Sequence, residues 1–305
     1  MPKVTVAIPT YNRKDYLPEV LKSVRAQTFK DFEVLVFDDH SNYDVAALLE
    51  DFKDLPIKLI KSEKPLGNVG NFGRIVSHNY TTPYLVVFHD DDVMNPKLLE
   101  REVAVMDANP NLVFMGTDLI FISNHSQMFN FPQIGGEINL TIFQTPQDLL
   151  REFLKGFRYC FGSTMYRTNK LEFSAEFSQP LYTWHDRPYL LNLAKKGPAA
   201  ILREPLVNYR LHAAQVSQEK INLEHLKSII KMLEVFKSFL PQPLSNADAK
   251  LFYGNSTYAI LSFYLLRKAS LREIKQQFSH PLVKLSALTL VQWLRLLKML
   301  AKYFV

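Results

Sequence analysis

The sequence predicts an α/β fold: a mostly parallel central sheet flanked by helices, with a helical extension at the C-terminus. Three observations predict it. Over the first 110 residues, short β-branched runs alternate with amphipathic stretches, the order that lays helices on the faces of a parallel sheet. The runs that read as strands end in polar clusters, PTYN (9–12), DDHS (38–41) and HDDD (89–92). After Gln218 almost every window has helical spacing.

Taken in order, KVTVAI (3–8) and FEVLVF (32–37) are the first two strands, and the helix between them carries Leu17, Val20, Leu21 and Val24 on one face. IKLI (57–60) and YLVVF (84–88) are the next two, joined by a helix over about 69–79. Pro96 opens another helix, with Leu98, Leu99, Val103 and Met106 at helical spacing. LVFMGTDLIFIS (112–123) reads as strand, and QMFNFPQIGGEINLT (127–141) has no helical period and reads as a loop or hairpin. PQDLLREFLKGF (146–157) returns to helix, and CFGSTMYR (160–167) is a strand or bend. A short helix near 187–196 precedes AAILREPLVNYRLH (199–212), which is extended. Leu223, Leu226, Ile229, Ile230 and Leu233 then form one stripe, and two apolar helices complete the chain. This division predicts one domain over residues 1–216 and a helical region over 217–305.

With 305 residues, 47% of them apolar, the chain can build a substantial core. The single cysteine, Cys160, excludes an internal disulfide framework and fits a reducing compartment, so a cytoplasmic protein is expected. After Lys3, VTVAIP is interrupted by Pro9, Asn12, Arg13 and Lys14 before an apolar signal segment develops, so no signal peptide is expected. Leu251 to Leu266 and Leu285 to Leu294 are too short or too polar for a membrane span.

The net charge of +6 is unevenly placed: residues 267–305 hold eight Lys/Arg and one acid, Glu273. These bases interleave with Trp293, Leu294, Leu296, Leu297, Met299, Leu300, Tyr303 and Phe304. Such a pattern suits an anionic membrane surface. It does not suit nucleic acid, which wants a basic groove lined with stacking aromatics. The same helices could pack on the rest of the chain or mediate oligomer formation.

In open α/β sheets ligands bind outside the carboxyl ends of the strands, so the three polar clusters converge on one rim. HDDD sets Asp90, Asp91 and Asp92 side by side directly after a buried-looking strand. Adjacent carboxylates oppose one another's ionisation, and the pattern asks for a cation. Capping the helix after Pro96 would use one acid, or Asn95, and not three. PTYNRKDY contains no glycine, which argues against the glycine-rich phosphate loop of a nucleotidyltransferase or a dinucleotide-dependent dehydrogenase. Cys160 has no base or orienting group nearby in sequence and reads as core.

In their order and spacing, AIPTYNR (7–13), QTFKDFEVLVFDDHS (27–41), LGNVGNFGR (66–74), YLVVFHDDDVMNP (84–96), WHDRPYL (184–190) and YRLHAAQVS (209–217) resemble the glycosyltransferase family 2 enzymes, which have the GT-A fold. The resemblance covers about the first 217 residues. It implies an inverting enzyme that takes a sugar from a nucleotide diphosphate sugar with the help of Mn²⁺ or Mg²⁺. Such ions accept oxygen ligands and keep substrate phosphates in their shell.

Carried over residue by residue, Asp91 matches the metal-ligating carboxylate and Asp90 its neighbour toward ribose or metal. His89 stands where many members have an acid, and no metal role is expected of it. Asp39 matches the acid that accepts the base N3–H, which suits uracil and thymine alike; the resemblance favours UDP by family frequency, with dTDP close behind. Tyr11 matches a position that packs against the base, with Pro9 and Thr10 shaping the same turn. Arg74 could reach the diphosphate, and His212 matches a histidine that approaches the metal or diphosphate.

Asp186 matches the catalytic base, with His185 where relatives more often have Glu. Each assignment has a plain structural alternative: an Asx turn at Asp39, a solvated Arg74, a surface His212, a helix cap at Asp186. No Q-x-x-R-W element is present, so one sugar per visit is expected. With the basic amphipathic tail, the resemblance implies as acceptor a lipid-linked glycan or growing surface polysaccharide at the cytoplasmic (inner) face of a bacterial plasma membrane. The competing class is a catalytically silent module that binds a nucleotide sugar or docks a partner, against which the retained Asp91 and Asp186 argue.

Overall fold

The structure, a computed structural model, describes residues 1–123, 130–155, 161–173, 186–212, 223–266 and 269–303. Cys160, Trp184, His185, residues 213–217 and Phe304 lie outside them. The chain forms two compact units. The first comprises Met1–Thr145, Arg158–Ser178 and Asn192–Gln215, and the second Pro146–Phe157, Gln179–Leu191 and Val216–Val305.

The first unit is built on a mixed sheet. Its strands are β1 (Val4–Thr10), β2 (Phe32–Asp38), β3 (Ile57–Lys61), β4 (Tyr84–Phe88), β5 (Val93–Met94), β6 (Phe114–Ile122), β7 (Leu140–Phe143), β8 (Ser163–Arg167) and β9 (Ala199–Arg210). Their order is β3-β2-β1-β4-β8-β6-β9-β5, with β7 also paired to β9. The four strands nearest the N-terminus are parallel. β4 and β6 meet β8 antiparallel, and β6 runs parallel to β9. The near-continuous apolar runs of β1, β2 and β4 are almost wholly buried, as strands covered on both faces require. CFGSTMYR supplies the strand β8, and the expected loop or hairpin ends in β7.

The order reverses beside β1. From β1 the chain moves outward to β2 and β3, then returns to place β4 on the other side. A reversal of this kind opens a crevice at the carboxyl ends of the two central strands. Here the ladder between β1 and β4 stops at Ala7 and Val87, whereas that between β1 and β2 continues to Thr10 and Asp38. Pro9, which has no N–H to donate, lies beyond the last β1–β4 pair.

Helices pack on this sheet, and side chains distant in sequence help to fix the starts of two of them, α3 and α4. α1 (Leu17–Arg25) buries Leu17, Val20, Leu21 and Val24. α2 (Val45–Leu49), too short to show a period, is capped by Asp44, whose Oδ1 accepts the Ala47 N–H (3.2 Å). α3 (Gly67–Val76) begins two residues before the expected start, because its first amides donate to Asp39. α4 (Leu98–Ala108) is opened by Asn95, which accepts the Lys97 N–H (2.9 Å), and by buried Gln27, which accepts that of Leu99 (3.1 Å). The three HDDD acids are therefore not the caps of α4.

The second unit is helical. Within it, α5 (Pro146–Leu154) buries Leu149, Leu150, Phe153 and Leu154. α6 (Asp186–Leu193) follows, and Arg187 lies over the Phe153 ring at 5.4 Å. The C-terminal part forms α7 (Leu223–Phe239), α8 (Asn246–Leu266), α9 (Leu271–Gln276) and α10 (Leu290–Tyr303). Apolar around its circumference, α8 buries Phe252, Ile260, Leu261 and Phe263, the behaviour of a core helix. Arg151 of α5 donates to both carboxylate oxygens of Asp248 (2.9 and 3.1 Å), a bidentate clamp at the start of α8. α10 packs on α8 and buries Leu296, while Leu290, Val291, Trp293, Leu294 and Leu297 stay exposed.

Candidate functional site

The polar clusters meet where the strand order reverses. At the end of β1 the Tyr11 N–H donates to Asp90 Oδ2 (3.2 Å), joining PTYN to HDDD across the crevice. PTYN is also laced to DDHS. The Asp39 N–H donates to the Thr10 carbonyl (2.9 Å), Asn12 N–H to Ser41 Oγ (3.0 Å) and Asn42 N–H to Asn12 Oδ1 (2.8 Å). Both turns use the left-handed region, Asn12 at φ 55° and His40 at φ 68°. For a residue with a Cβ this conformation is uncommon, though Asn and His adopt it more readily than most. Tyr11 stands at the rim with 49% of its surface exposed, so its ring is open to a stacking partner.

Asp39 is buried and its carboxylate is already engaged. Oδ1 accepts the Leu66 N–H (2.9 Å) and the Ser62 hydroxyl (3.3 Å), and Oδ2 accepts the Gly67 N–H (2.8 Å). Arg74 donates to the carbonyls of Asp38 (3.4 Å) and Ile60 (3.2 Å) and to Asn71 Oδ1 (3.2 Å). It thus ties together the ends of β2 and β3, and these bonds do not include Asp90 or Asp91. The guanidinium beside those acids belongs to Arg13, whose Nε lies 3.9 Å from both Asp90 Oδ1 and Asp91 Oδ2.

Crowding and burial act together on the HDDD acids. Burial and the charge of Asp91 push Asp90 up to about 7, against the pull of Thr10, Arg13 and the Tyr11 amide. Burial also raises Asp91, but the hydrogen bond from His212 and the charges of His89 and Arg13 outweigh it and leave Asp91 below the usual carboxylate range. Asp92, fully buried, is raised by burial and by Asp91. Burial works to lower His89, yet its hydrogen bond to Asp92 and the charges of the three acids lift it to about 9.

His212 and Asp91 are brought together as expected, with Nε2 and Oδ2 3.0 Å apart. Two further groups stand with them: Asp92, the third acid of the cluster, and His89, of which no metal role was expected. The ligand atoms of His89, Asp91 and Asp92 lie within 4.8 Å of one another. Asp92 accepts the Arg210 N–H on Oδ1 (2.9 Å), and its Oδ2 lies 3.5 Å from His89 Nδ1. The His89 ring rests on Gly162, where a Cβ would come within 2.7 Å of it. The carboxylate oxygens of this set are the ligand type that Mn²⁺ or Mg²⁺ prefers. Asp186 opens α6 in the second unit, where its Oδ1 accepts the Arg187 N–H (2.8 Å).

The model of glycosyl transferase family 2 matches residues 5–173, more than half of the chain. The chain belongs to this family. One relative, WfgD of Escherichia coli, is a UDP-Glc:alpha-D-GlcNAc-diphosphoundecaprenol beta-1,3-glucosyltransferase. It is 26% identical over 255 residues, which are 82% of this chain and 90% of WfgD. The glycosyltransferase RP339 of Rickettsia prowazekii is 26% identical over 225 residues, 72% of this chain and 68% of that protein.

Two solved structures share the architecture. The S. aureus TarS 1-349 complex with UDP-GlcNAc aligns with a TM-score of 0.58 at 16% identity, over 99% of this chain and 81% of TarS. The mannosyltransferase PcManGT from Pyrobaculum calidifontis, in complex with GDP-Man and Mn²⁺, aligns at 0.53 with 18% identity, over 99% of this chain and 86% of that one. The fold is therefore GT-A, and the family 2 member described here is a glycosyltransferase acting on nucleotide sugars.

Proposed function

We propose that this enzyme moves one sugar from a UDP-sugar, with a dTDP-sugar as the alternative donor, to a hydroxyl of a lipid-linked or surface glycan, inverting the anomeric centre. The observation that carries this reading is the Tyr11–Asp90 bond, which joins the ends of β1 and β4 beside the cluster of Asp90, Asp91 and Asp92. Residues 1–216 carry the chemistry and 217–305 the attachment. The donor and acceptor in WfgD's name support a uridine donor and a diphospholipid-linked acceptor.

In this reading Tyr11 packs against the base over the turn made by Pro9 and Thr10. Asp39 faces the base N3–H from the end of β2, Asp90 faces the ribose, and Arg74, with Arg13, faces the diphosphate. Asp91 and His212 hold a divalent cation, with Asp92 and His89 beside them. PcManGT with its Mn²⁺ supports Mn²⁺ as that ion, and Mg²⁺ has the same oxygen preference. Bound there, the ion supplies positive charge for the departing diphosphate. Asp186 takes the proton from the acceptor hydroxyl as that oxygen attacks the anomeric carbon.

Attachment at the inner face of the plasma membrane falls to α10. Leu290, Trp293, Leu294 and Leu297 recur at helical spacing on its exposed side, flanked by exposed Arg295 and Lys298. An apolar stripe edged with bases lies in the plane of an anionic lipid surface. Among the described residues, no helix is long and apolar enough to cross a membrane.

A thermal-shift screen of UDP-, dTDP- and GDP-sugars with Mn²⁺ tests the donor assignment. A uridine or thymidine nucleotide should raise the melting temperature, and EDTA should remove the rise. A rise with guanosine nucleotides alone would overturn the donor assignment.

A further inference from the structure

Arg210, at the end of β9, is only 2% exposed and is among the largest fully buried side chains. A guanidinium taken out of water needs acceptors, and those it has are informative. Nε donates to the main-chain carbonyl of Asp91 (2.8 Å), and Nη2 to Glu19 Oε2 of α1 (2.5 Å). Its Cζ lies over the Tyr16 ring at 5.1 Å, and its own N–H donates to Asp92 Oδ1 (2.9 Å). Two residues further on, the His212 ring lies 4.6 Å from the same Tyr16 ring, and its Nε2 meets Asp91 Oδ2.

These contacts close a loop of chain. Asp91 and His212 arrive from different strands, one after β4 and one after β9. Arg210 grips Asp91 by its carbonyl while standing two residues from His212. The separation of the two side chains is thereby set by a buried cation that holds Asp91 through its main-chain carbonyl. A stability role alone accounts poorly for such a group, since apolar residues of similar volume often replace a buried ion pair without loss.

We infer that Arg210, held in turn by Glu19 and Tyr16, is the positioning residue that fixes Asp91 and His212 at the separation one divalent cation requires. This rests on the proposal that those two residues bind the ion. Partners that orient metal ligands are typically worth 10–100-fold in metal affinity. The guanidinium is needed for its geometry, so Lys, a point charge on a flexible stem, does not replace it.

The test is direct Mn²⁺ titration of the full chain, following free Mn²⁺ by electron paramagnetic resonance, for the parent, Arg210→Lys and Glu19→Gln. Melting temperature and UDP affinity in EDTA report folding and the nucleotide site separately. Arg210→Lys should weaken Mn²⁺ binding by about 10–100-fold, and Glu19→Gln should weaken it less, with UDP affinity in EDTA unchanged within about twofold. Parent-like Mn²⁺ affinity in a folded Arg210→Lys would overturn the inference. So would an equal loss of Mn²⁺ and metal-free UDP binding, the mark of a merely structural role. Should Arg210→Lys fail to fold, Glu19→Gln decides by the same criteria. A parent that binds no Mn²⁺ removes the metal proposal itself, and this inference with it.

Discussion

Asp39 holds Gly67: its Oδ2 accepts the Gly67 N–H at 2.8 Å, while Oδ1 accepts that of Leu66 at 2.9 Å. A residue at the end of β2 thus satisfies the orphan donors at the start of α3, and Gly67 turns into the helix at φ 73°. A carboxylate offers about four lone-pair positions, so these bonds leave capacity for a further donor. Asp39→Ala should lower stability by about 1–3 kcal/mol without nucleotide, as expected when buried amides lose a charged acceptor. Denaturant unfolding of the nucleotide-free protein measures this. An unchanged midpoint would mean that α3 does not depend on Asp39.

Glu102 of α4 is fully buried, and neither carboxylate oxygen makes a hydrogen bond among the described residues. Burial pushes its carboxyl well above the ordinary glutamate value. An acid whose pKa is raised in the folded state contributes stability at pH below the usual glutamate range and loses it as pH rises above that range. Glu102→Met should therefore stabilise the protein more at pH 8 than at pH 5, by about 1–3 kcal/mol at the higher pH. Melting curves at the two pH values check the sign, and a larger gain at pH 5 would contradict it.

Asp186→Asn keeps size and polarity but cannot accept the acceptor's proton. Donor binding should persist while turnover falls by about 10²–10⁴-fold, the usual worth of a general base. Release of UDP from a UDP-sugar in the presence of acceptor is the measurement. A loss within about threefold, far below that worth, would leave Asp186 as the cap of α6.

On α10, truncation before residue 280 should leave a folded protein that no longer sediments with anionic vesicles, whereas the full chain should do so at low salt and less at high salt. Each exposed base near such a surface contributes about 1 kcal/mol, and salt screens it. Binding to zwitterionic vesicles that equals binding to anionic ones would contradict the charge argument. Loss of folding on truncation, with a full chain that ignores vesicles, would make α10 core.

The β-branched runs made β1, β2 and β4 legible because strands buried on both faces have a continuous apolar signature, and α1 because its burial repeats every three to four residues. The rim was legible from the polar clusters that follow those strands. Helix starts were less so. Asn95 was a legible local cap for α4, but the second acceptor there, Gln27, is far away in sequence, and α3 is opened by Asp39 with no local capping signal. His89 joins the acids by resting on Gly162, a long-range contact that spacing does not encode. Arg13 follows β1 in sequence and Arg74 sits on α3, and only folding shows that Arg13 is the one beside Asp90 and Asp91.

The central claim is that a divalent cation on Asp91 couples the carboxylate cluster to the donor diphosphate. Calorimetric titration of UDP into the parent and into Asp91→Ala, each with Mn²⁺ and with EDTA, tests it most directly. The account predicts that Mn²⁺ strengthens UDP binding to the parent, that EDTA abolishes the gain, and that Asp91→Ala binds UDP equally weakly in both conditions while still melting cooperatively. Equal UDP affinity of the parent with Mn²⁺ and with EDTA, or a full Mn²⁺ effect in Asp91→Ala, would contradict it.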